Sequence, residues 1–215
     1  MKKREFISIL QNLEGFREAS LGMEQYLTDA IVAGDILYVI AFENGDLFDR
    51  WVLDLGCGPG RLTVGAALLG AASTVGFDVD LEVLETCRAN ARQVGVESLV
   101  HVVNAEVGHL PLREKISGGV RDCVVMMNPP FGKQDRNADR RFLVAAFLIT
   151  RNIYSVHLSN PKTRLYFESF ANKSGFFVDQ IYEYPMVLER SQDFHTKARK
   201  KIFVDLYHFL KQREE

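Results

Sequence analysis

A glycine-rich segment at residues 56–60, with the sequence GCGPG, could bring a ligand against the main chain. It follows a short apolar run at 51–55 and precedes a stretch with helical spacing, so we expect it to join a strand to a helix N-terminus. The spacing places Arg61 where the dinucleotide fingerprint has its third glycine, and Pro59 lacks an N–H donor. The segment therefore suits an uncharged or cationic part of a cofactor better than a pyrophosphate.

Two carboxylates extend this pattern toward a particular cofactor. Asp54, inside the apolar run, completes a D-x-G-x-G-x-G sequence that is typical of enzymes that use S-adenosylmethionine. Asp78 ends the second apolar run, where a carboxylate can accept both hydroxyls of an adenosine ribose, and Asp80 is an alternative two residues later. Each feature alone is compatible with an ordinary turn, and their combination favours a cofactor site.

A second cluster, Asn128-Pro129-Pro130-Phe131, follows the fourth apolar run. Two prolines fix the backbone and remove two N–H donors, which leaves carbonyl acceptors beside the Asn128 side-chain oxygen. An exocyclic amino group could donate both hydrogens, to Asn128 Oδ1 and the Pro129 carbonyl, while Phe131 stacks on its ring. The residues therefore predict chemistry at an amino nitrogen without a charged base, against the simpler interpretation of a turn that ends a strand.

The order of apolar runs and helical stretches predicts a mainly parallel sheet with helices on both faces. Strands are expected at 51–55, 74–79, 99–103, 122–127, 154–158, 176–188 and 201–209. Helices are expected at 62–69, 81–94, 139–151 and 163–171. Because no helix separates the last two strands, they should pair antiparallel. The chain is interpreted as one domain, 1–215, with an N-terminal helical extension at 1–49 and a core at 50–215.

The extension should contain two helices. Apolar residues from Phe6 to Leu13 repeat with helical spacing, and Gly15 should close that helix. Thr28 is a suitable N-cap for a second helix that ends at the Asn44-Gly45 breaker.

Composition indicates an ordinary globular protein rather than a collagen-like, disordered or disulfide-scaffold chain. The 215 residues are 47% hydrophobic and 25% charged. Three cysteines without a C-x-x-C pair predict free thiols and no zinc site. No apolar run approaches the roughly 20 residues that cross a bilayer, so we expect a cytoplasmic protein.

The sequence resembles the archaeal and eukaryotic methyltransferase-like ribosomal RNA adenine-N6 methyltransferases over nearly the whole chain. Matching segments are EQY at 24–26, DLGCG at 54–58, VGFD at 75–78, NPPFG at 128–132, YSVH at 154–157 and FH at 194–195. The resemblance implies a Rossmann-like class I fold and transfer of a methyl group from S-adenosylmethionine to an adenine N6 in structured RNA, most directly small-subunit ribosomal RNA. It also implies pairing with a small zinc-binding activator subunit.

The resemblance assigns roles to individual positions. It implies cofactor contacts at Gln25, Thr28, Gly56, Pro59, Arg61, Asp78, Glu106 and Val107. It implies catalysis at Asn128, Pro129, Pro130 and Phe131. The family usually has an aspartate after the third strand, where this chain has Glu106.

Basic residues are concentrated late in the chain. Residues 131–215 carry 15 basic and 10 acidic side chains, a local charge of +5 within a net charge of −2. One group, Lys133, Arg136, Arg140 and Arg141, follows the tetrad, and a second, His195, Lys197, Arg199, Lys200 and Lys201, precedes the last strand. Both groups could neutralise RNA phosphates around an extruded adenine, or could form solvated faces.

Three other functions fit parts of the sequence. A protein N5-glutamine methyltransferase also uses Asn-Pro-Pro-aromatic, because an amide presents the same two-donor amino group, but about 50 N-terminal residues leave little room for its usual helical bundle. An RNA-binding module without catalysis is disfavoured by the complete tetrad and Asp78. A nicotinamide-dependent oxidoreductase is disfavoured by the glycine spacing.

Overall fold

A computed structural model describes residues 1–16, 25, 27–112, 123–131, 137–189 and 199–212. Seven strands form one sheet: β1 (Trp51–Leu55), β2 (Ser73–Asp78), β3 (Val100–Asn104), β4 (Val124–Met127), β5 (Asn152–Leu158), β6 (Phe176–Glu189) and β7 (Arg199–Lys211). The expected strands are all present, and their ends differ from the sequence-based bounds by at most two residues. The apolar runs therefore located the strands of the sheet correctly.

The sheet has the order β3-β2-β1-β4-β5-β7-β6. The first five strands are parallel, β7 is antiparallel to β5, and β6 is antiparallel to β7, as predicted. The chain moves outward from β1 to β3 and then returns to add β4 on the other side of β1. This switch point lies between β1 and β4, where ligands of open α/β sheets bind beyond the carboxyl ends of the strands.

Helices cover both faces of the sheet, as predicted. They are α1 (Lys3–Gln11), α2 (Ala30–Tyr38), α3 (Arg61–Leu68), α4 (Leu81–Gln93), α5 (Ala138–Ile149) and α6 (Pro161–Lys173). Residues from α1 to α4 share one apolar core with the sheet, and residues from α5 and α6 share the other. No described helix is long and apolar enough to span a bilayer.

The N-terminal helices pack into the fold. Phe6 and Leu10 of α1 are fully buried in the same core as Ile36 and Leu37 of α2. The Cα of Gly65 on α3 lies so near α2 that an added Cβ would stand 2.4 Å from Leu37 Cδ1. The extension thus fixes the chain before β1 against the helix that follows the glycine segment.

Two predicted helix boundaries were wrong. Helix α1 ends at Gln11 with Asn12 as its C-cap, three residues before Gly15. The N-cap of α2 is Asp29, not Thr28, because Asp29 Oδ1 accepts from the N–H groups of Ile31 and Val32. Thr28 is buried, and its side chain makes a contact in the candidate site instead. Beyond α2 the chain continues as a π-helical segment, Val39–Glu43, which ends at Asn44 as expected.

Strands β6 and β7 form a ribbon that is longer than its neighbour β5. The last β5–β7 pair is Leu158 with Val204, whereas β6–β7 pairing continues to Glu189 with Arg199. The extra residues, 185–189 and 199–203, therefore project beyond the carboxyl end of β5. That is the same edge of the sheet as the switch point.

Candidate active site

An open cleft lies at the switch point. Six residues predicted for the site line it: Gln25, Gly56, Asp78, Val107, Asn128 and Pro130. They come from the segment before α2, the ends of β1, β2 and β4, and the turn after β3. Parallel strands end at one edge, and this brings residues more than 50 positions apart in the chain into one wall.

The glycine segment is held in an unusual backbone path. Gly56, Gly58 and Gly60 all have positive φ, at 71°, 53° and 88°, a region that other residues rarely adopt. The N–H groups of Gly56 and Cys57 both donate to the Phe77 carbonyl, at 2.8 and 3.0 Å. An added Cβ at Gly56 would stand 2.9 Å from Phe142 Cε1. The glycines are therefore needed for the path of the turn and for the space beside the cleft.

Asp78 is organised by main-chain donors. The Gly58 N–H donates to Oδ2 at 2.9 Å, and the Asp80 N–H donates to Oδ1 at 3.1 Å. Each carboxylate oxygen has two lone pairs, so one on each oxygen is available for a ribose hydroxyl. Burial raises the pKa of Asp78, with a smaller contribution from repulsion by Asp80, and hydrogen bonds from the backbone of Asp80, Gly58 and Val79 oppose that rise.

Asp80, the alternative ribose acceptor, is occupied by other contacts. Its Oδ1 accepts from the Glu82 N–H and caps α4, and its Oδ2 accepts from Gln25 Nε2 at 2.9 Å. Gln25 lies in the cleft wall, whereas Asp80 does not. This arrangement favours Asp78 as the ribose acceptor and gives Asp80 the role of anchoring Gln25.

Asp54 is a buried acid behind the glycine segment. Its Oδ2 accepts from Thr63 Oγ1 at 2.6 Å, and its Oδ1 is buried without a partner among the described residues. Burial raises the pKa of Asp54 to about 7. The hydrogen bond from Thr63 opposes this rise, and repulsion from Asp78 adds to it. Close to neutral pH, Asp54 thus changes its charge readily.

Asn128 presents one side-chain atom without a partner. Its Nδ2 donates to Thr28 Oγ1 at 2.9 Å, and its Oδ1 is buried with no hydrogen-bond partner among the described residues. A buried acceptor that lacks a donor carries a desolvation cost of about 1–3 kcal/mol. An amino donor at this position would remove that cost.

Several residues assigned by resemblance do not form part of the cleft wall: Thr28, Pro59, Arg61, Glu106, Pro129 and Phe131. Pro59 is buried, and its carbonyl accepts from Asn90 Nδ2. The Arg61 side chain points to the extension, where Nε donates to the Leu10 carbonyl and Nη1 to the Thr28 carbonyl, at 3.1 and 2.6 Å. Pro59 and Arg61 therefore contact neighbouring elements of the fold, and their predicted cofactor contacts stay predictions.

The remaining three residues have different surroundings. The Glu106 side chain is exposed and lies 3.5 Å from His109 Nδ1. Pro129 is buried. Phe131 is half-buried and packs against the core that includes α1 to α4. The predicted stacking role of Phe131 stays a prediction.

Sequence reasoning assigned no role to six residues of the wall: Phe16, Leu55, Phe77, Val79, Ala105 and Phe142. Leu55, Phe77, Val79 and Ala105 stand at strand ends, and this position could have identified them. Phe16 and Phe142 are apolar residues whose only sequence signal was their place before and after the motifs. Together the six residues make much of the cleft lining apolar.

Most of the predicted RNA-binding residues lie outside the described residues: Lys133, Arg136, His195 and Lys197, together with the side chains of Arg199 and Lys200. Lys201 is described, and it is exposed on the projecting ribbon. Its Nζ lies 5.6 Å from the centre of the Phe203 ring, a cation–π contact. Arg140 and Arg141 are exposed on the first turns of α5.

This wall fits the parts of S-adenosylmethionine. A carboxylate with free lone pairs suits the ribose, apolar side chains suit the adenine, and glycines without side chains leave room at the main chain. A methyltransferase-domain family model matches residues 52–149, which contain the glycine segment, Asp78 and Asn128. The sheet, the cleft and this match define a class I methyltransferase, and its cofactor is S-adenosylmethionine.

Full-length relatives identify the branch of that class. The chain is 36% identical to the rRNA N(6)-adenosine-methyltransferase METTL5 of Danio rerio, which covers 97% of this chain and 99% of the relative. It is 34% identical to the Drosophila melanogaster protein of the same description, over 97% and 96%. A crystal structure from Pyrococcus horikoshii, of a protein provisionally described as an RNA methyltransferase, superimposes with a TM-score of 0.87 at 34% identity over 99% of both chains. The chain belongs to the rRNA N6-adenosine-methyltransferase family.

Proposed function

We propose that this protein transfers a methyl group from S-adenosylmethionine to the N6 atom of an adenine in structured RNA, with small-subunit ribosomal RNA in the cytoplasm as the substrate. The observation that carries the proposal is Oδ1 of Asn128, which is buried at the edge of the cleft without a hydrogen-bond partner in the part of the chain that the structure describes. A neutral acceptor in this position suits an amino group, which has two N–H donors and no negative charge.

Different cleft residues hold different parts of the cofactor. Asp78 accepts the ribose hydroxyls, and Phe77, Val79 and Val107 offer apolar surface for the adenine ring. When bound, S-adenosylmethionine supplies an electrophilic methyl group on a positively charged sulfur. Pro59 lacks an N–H, and the N–H groups of the three glycines already donate within the fold, to the Phe77 carbonyl, Asp78 Oδ2 and the Cys57 carbonyl, so the loop offers few donors to a phosphate. This preference is consistent with a cationic reacting centre.

Asn128 acts on the target base rather than on a proton. Asn128 Oδ1 and the Pro129 carbonyl accept the two amino hydrogens. These hydrogen bonds draw the nitrogen toward a pyramidal geometry and leave its lone pair free for the methyl carbon. The new N–C bond forms as the C–S bond breaks, and the surplus proton leaves the nitrogen for water. A neutral amide cannot keep that proton at pH 7, so Asn128 orients and stabilises the amino group instead of serving as a base.

The projecting ribbon supports an RNA path beside the cleft. Phe203 is 50% exposed, and Lys201 stands two residues away on the same face of β7, with Asp205 and Arg164 paired further along that face. An exposed aromatic ring can stack on any base, and a neighbouring ammonium group can neutralise a phosphate. Residues 190–201 add Arg190, Lys197, Arg199 and Lys200 against one acid, Asp193. We therefore assign Lys201 and Phe203 to contacts with nucleotides that flank the target adenine.

We also propose pairing with a small zinc-binding activator subunit. Strand β3 is one of the two outer strands of the described sheet, the other being β6, and its far side has no strand neighbour there. An exposed edge of this kind can pair with a strand of another protein. Mixing the two purified proteins and measuring hydrogen exchange of the β3 amides tests this; unchanged exchange at 100–104 would place the activator elsewhere or exclude it.

Incubation with labelled S-adenosylmethionine separates RNA from protein methylation. Purified enzyme is given total RNA or total protein from the same cells, and the labelled fraction is digested and identified by mass spectrometry. We expect N6-methyladenosine from ribosomal RNA. Label in N5-methylglutamine, with none in nucleosides, would support the protein substrate and contradict this proposal.

A further inference from the structure

Thr28 touches the tetrad rather than the start of its own helix. Its Oγ1 accepts from Asn128 Nδ2 at 2.9 Å, and Thr28 itself is buried. Its carbonyl is held by Arg61 Nη1 at 2.6 Å, and Arg61 Nε also binds the Leu10 carbonyl at the end of α1. The glycine segment, α1 and the start of α2 thus meet at Thr28, and one hydroxyl of this junction faces Asn128.

The orientation of the Asn128 amide decides what it can recognise. Rotating the amide by about 180° exchanges Oδ1 and Nδ2 with almost no change in shape. In the observed orientation the unpartnered atom is the acceptor Oδ1. In the rotated orientation the Thr28 hydroxyl would donate to Oδ1, and the free atom would be the donor Nδ2, which would face the N–H donors of the target amino group. Only one of the two orientations supports the chemistry.

We propose that Thr28 is a positioning residue that keeps Oδ1 of Asn128 directed at the target amino group by accepting from Nδ2. This inference rests on the proposed function and assigns a specificity role within the same site. With an amino group bound at Oδ1 and Thr28 at Nδ2, every polar atom of the amide has a partner. The rotated orientation would instead set Nδ2 against the amino N–H groups. Without the Thr28 hydroxyl, the productive orientation leaves Nδ2 buried and unpaired, so it loses that stabilisation.

The test compares Thr28→Val with Thr28→Ser. Valine keeps the branched shape and the backbone carbonyl that Arg61 holds, but it cannot accept from Nδ2. Serine keeps the hydroxyl. We expect Thr28→Val to lower kcat by roughly tenfold to a hundredfold while the Kd for S-adenosylmethionine changes by no more than about threefold, and Thr28→Ser to keep kcat within about threefold.

A second measurement needs neither turnover nor RNA. In protein labelled with ¹⁵N at asparagine side chains, the Nδ2 protons of Asn128 should exchange slowly with solvent in the unmodified protein and in Thr28→Ser, and faster in Thr28→Val. The signal is assigned by its loss in Asn128→Asp. If Thr28→Val fails to fold, as judged by circular dichroism, Thr28→Ala provides the same comparison.

The outcomes separate this inference from the proposed function. Equal kcat and equal Asn128 exchange in Thr28→Val and the unmodified protein would overturn the positioning role. An unmodified enzyme that labels only protein would overturn the RNA substrate, while the exchange difference would still test Thr28. A parallel loss of cofactor affinity and kcat in Thr28→Val would assign Thr28 to the cofactor instead and contradict positioning.

Discussion

The N–H of Gly58 donates a hydrogen bond of 2.9 Å to Asp78 Oδ2, which ties the turn after β1 to the end of β2. The contact links the two sequence features that indicated the cofactor, although 20 residues separate them in the chain. It holds the carboxylate in the cleft wall and uses only one of the lone pairs on that oxygen. Loop conformation and ribose recognition therefore depend on the same side chain.

Asp78→Asn should weaken S-adenosylmethionine binding by at least tenfold. The variant loses the charge and one acceptor, and hydrogen bonds to a charged acceptor are worth roughly 1.5–3 kcal/mol each before water compensates. Isothermal titration calorimetry measures the change. Asp80→Asn is the comparison variant: it keeps an oxygen to cap α4 and disturbs only the contact with Gln25, so we expect a smaller loss. A larger loss in Asp80→Asn than in Asp78→Asn would move the ribose role to Asp80.

Asp54 should make the stability of the protein depend on pH. Its pKa is raised from 3.8 to about 7, so between these values the folded protein holds a proton that the unfolded chain has released. The free energy of unfolding should therefore fall as pH rises through this window, by up to about 4 kcal/mol, and level off above pH 7. In Asp54→Asn this contribution is absent.

The measurement for Asp54 is the difference in unfolding free energy between the variant and the unmodified protein at pH 5 and at pH 8. Groups that titrate equally in both proteins cancel in this difference. We expect the free energy of unfolding of Asp54→Asn, relative to that of the unmodified protein, to be higher at pH 8 than at pH 5. A difference that is the same at both pH values would show that Asp54 is ionised throughout.

The sequence predicted the sheet and the edge at which the site lies, because apolar runs mark buried strands and parallel strands end together. It could not fix side-chain direction within a turn. Arg61 stands directly after the glycines, yet its guanidinium reaches the Thr28 and Leu10 carbonyls on the extension. Spacing along the chain carries no information on which neighbour a long, flexible side chain contacts.

The N-cap of α2, predicted at Thr28 and found at Asp29, shows a second limit of prediction from sequence. Both residue types are good N-caps, and they are adjacent, so local preference cannot choose between them. Asp29 caps α2 in the structure, and this leaves the Thr28 hydroxyl for Asn128, 100 residues away. Phe142 was missed for a related reason: an apolar residue on α5 predicts core packing, and only the fold places it beside Gly56.

Lys201→Ala combined with Phe203→Leu should weaken RNA binding and flatten its dependence on salt. The first change removes a cation that releases counterions on binding, and the second removes an aromatic surface worth about 1–3 kcal/mol per stacked base. Fluorescence anisotropy with a ribosomal RNA fragment at several salt concentrations measures both effects. Affinity for S-adenosylmethionine should stay the same.

A matched pair near the start of β6 provides the control for the projecting end of the ribbon. Lys173 ends α6 and Phe177 is the second residue of β6, and both are exposed there, at the end of the strand away from the cleft. Lys173→Ala with Phe177→Leu removes the same chemical groups. If this pair weakens RNA binding as much as the ribbon pair does, the effect arises from overall charge, and the ribbon is a solvated surface.

Asn128→Ala should leave cofactor binding intact and remove most of the turnover. The variant deletes the acceptor that faces the target amino group, while Asp78 and the glycine segment keep their contacts. Loss of one preorganised group at a centre where charge develops typically costs about a hundredfold to a thousandfold in kcat. Single-turnover kinetics with saturating RNA measure this loss.

Phe131→Tyr, at a half-buried position that packs on the core, should retain activity, because tyrosine keeps the ring. Methyl transfer at the unmodified rate by Asn128→Ala would mean that the Asn-Pro-Pro-Phe segment is a structural turn, and the catalytic role assigned to it would be wrong.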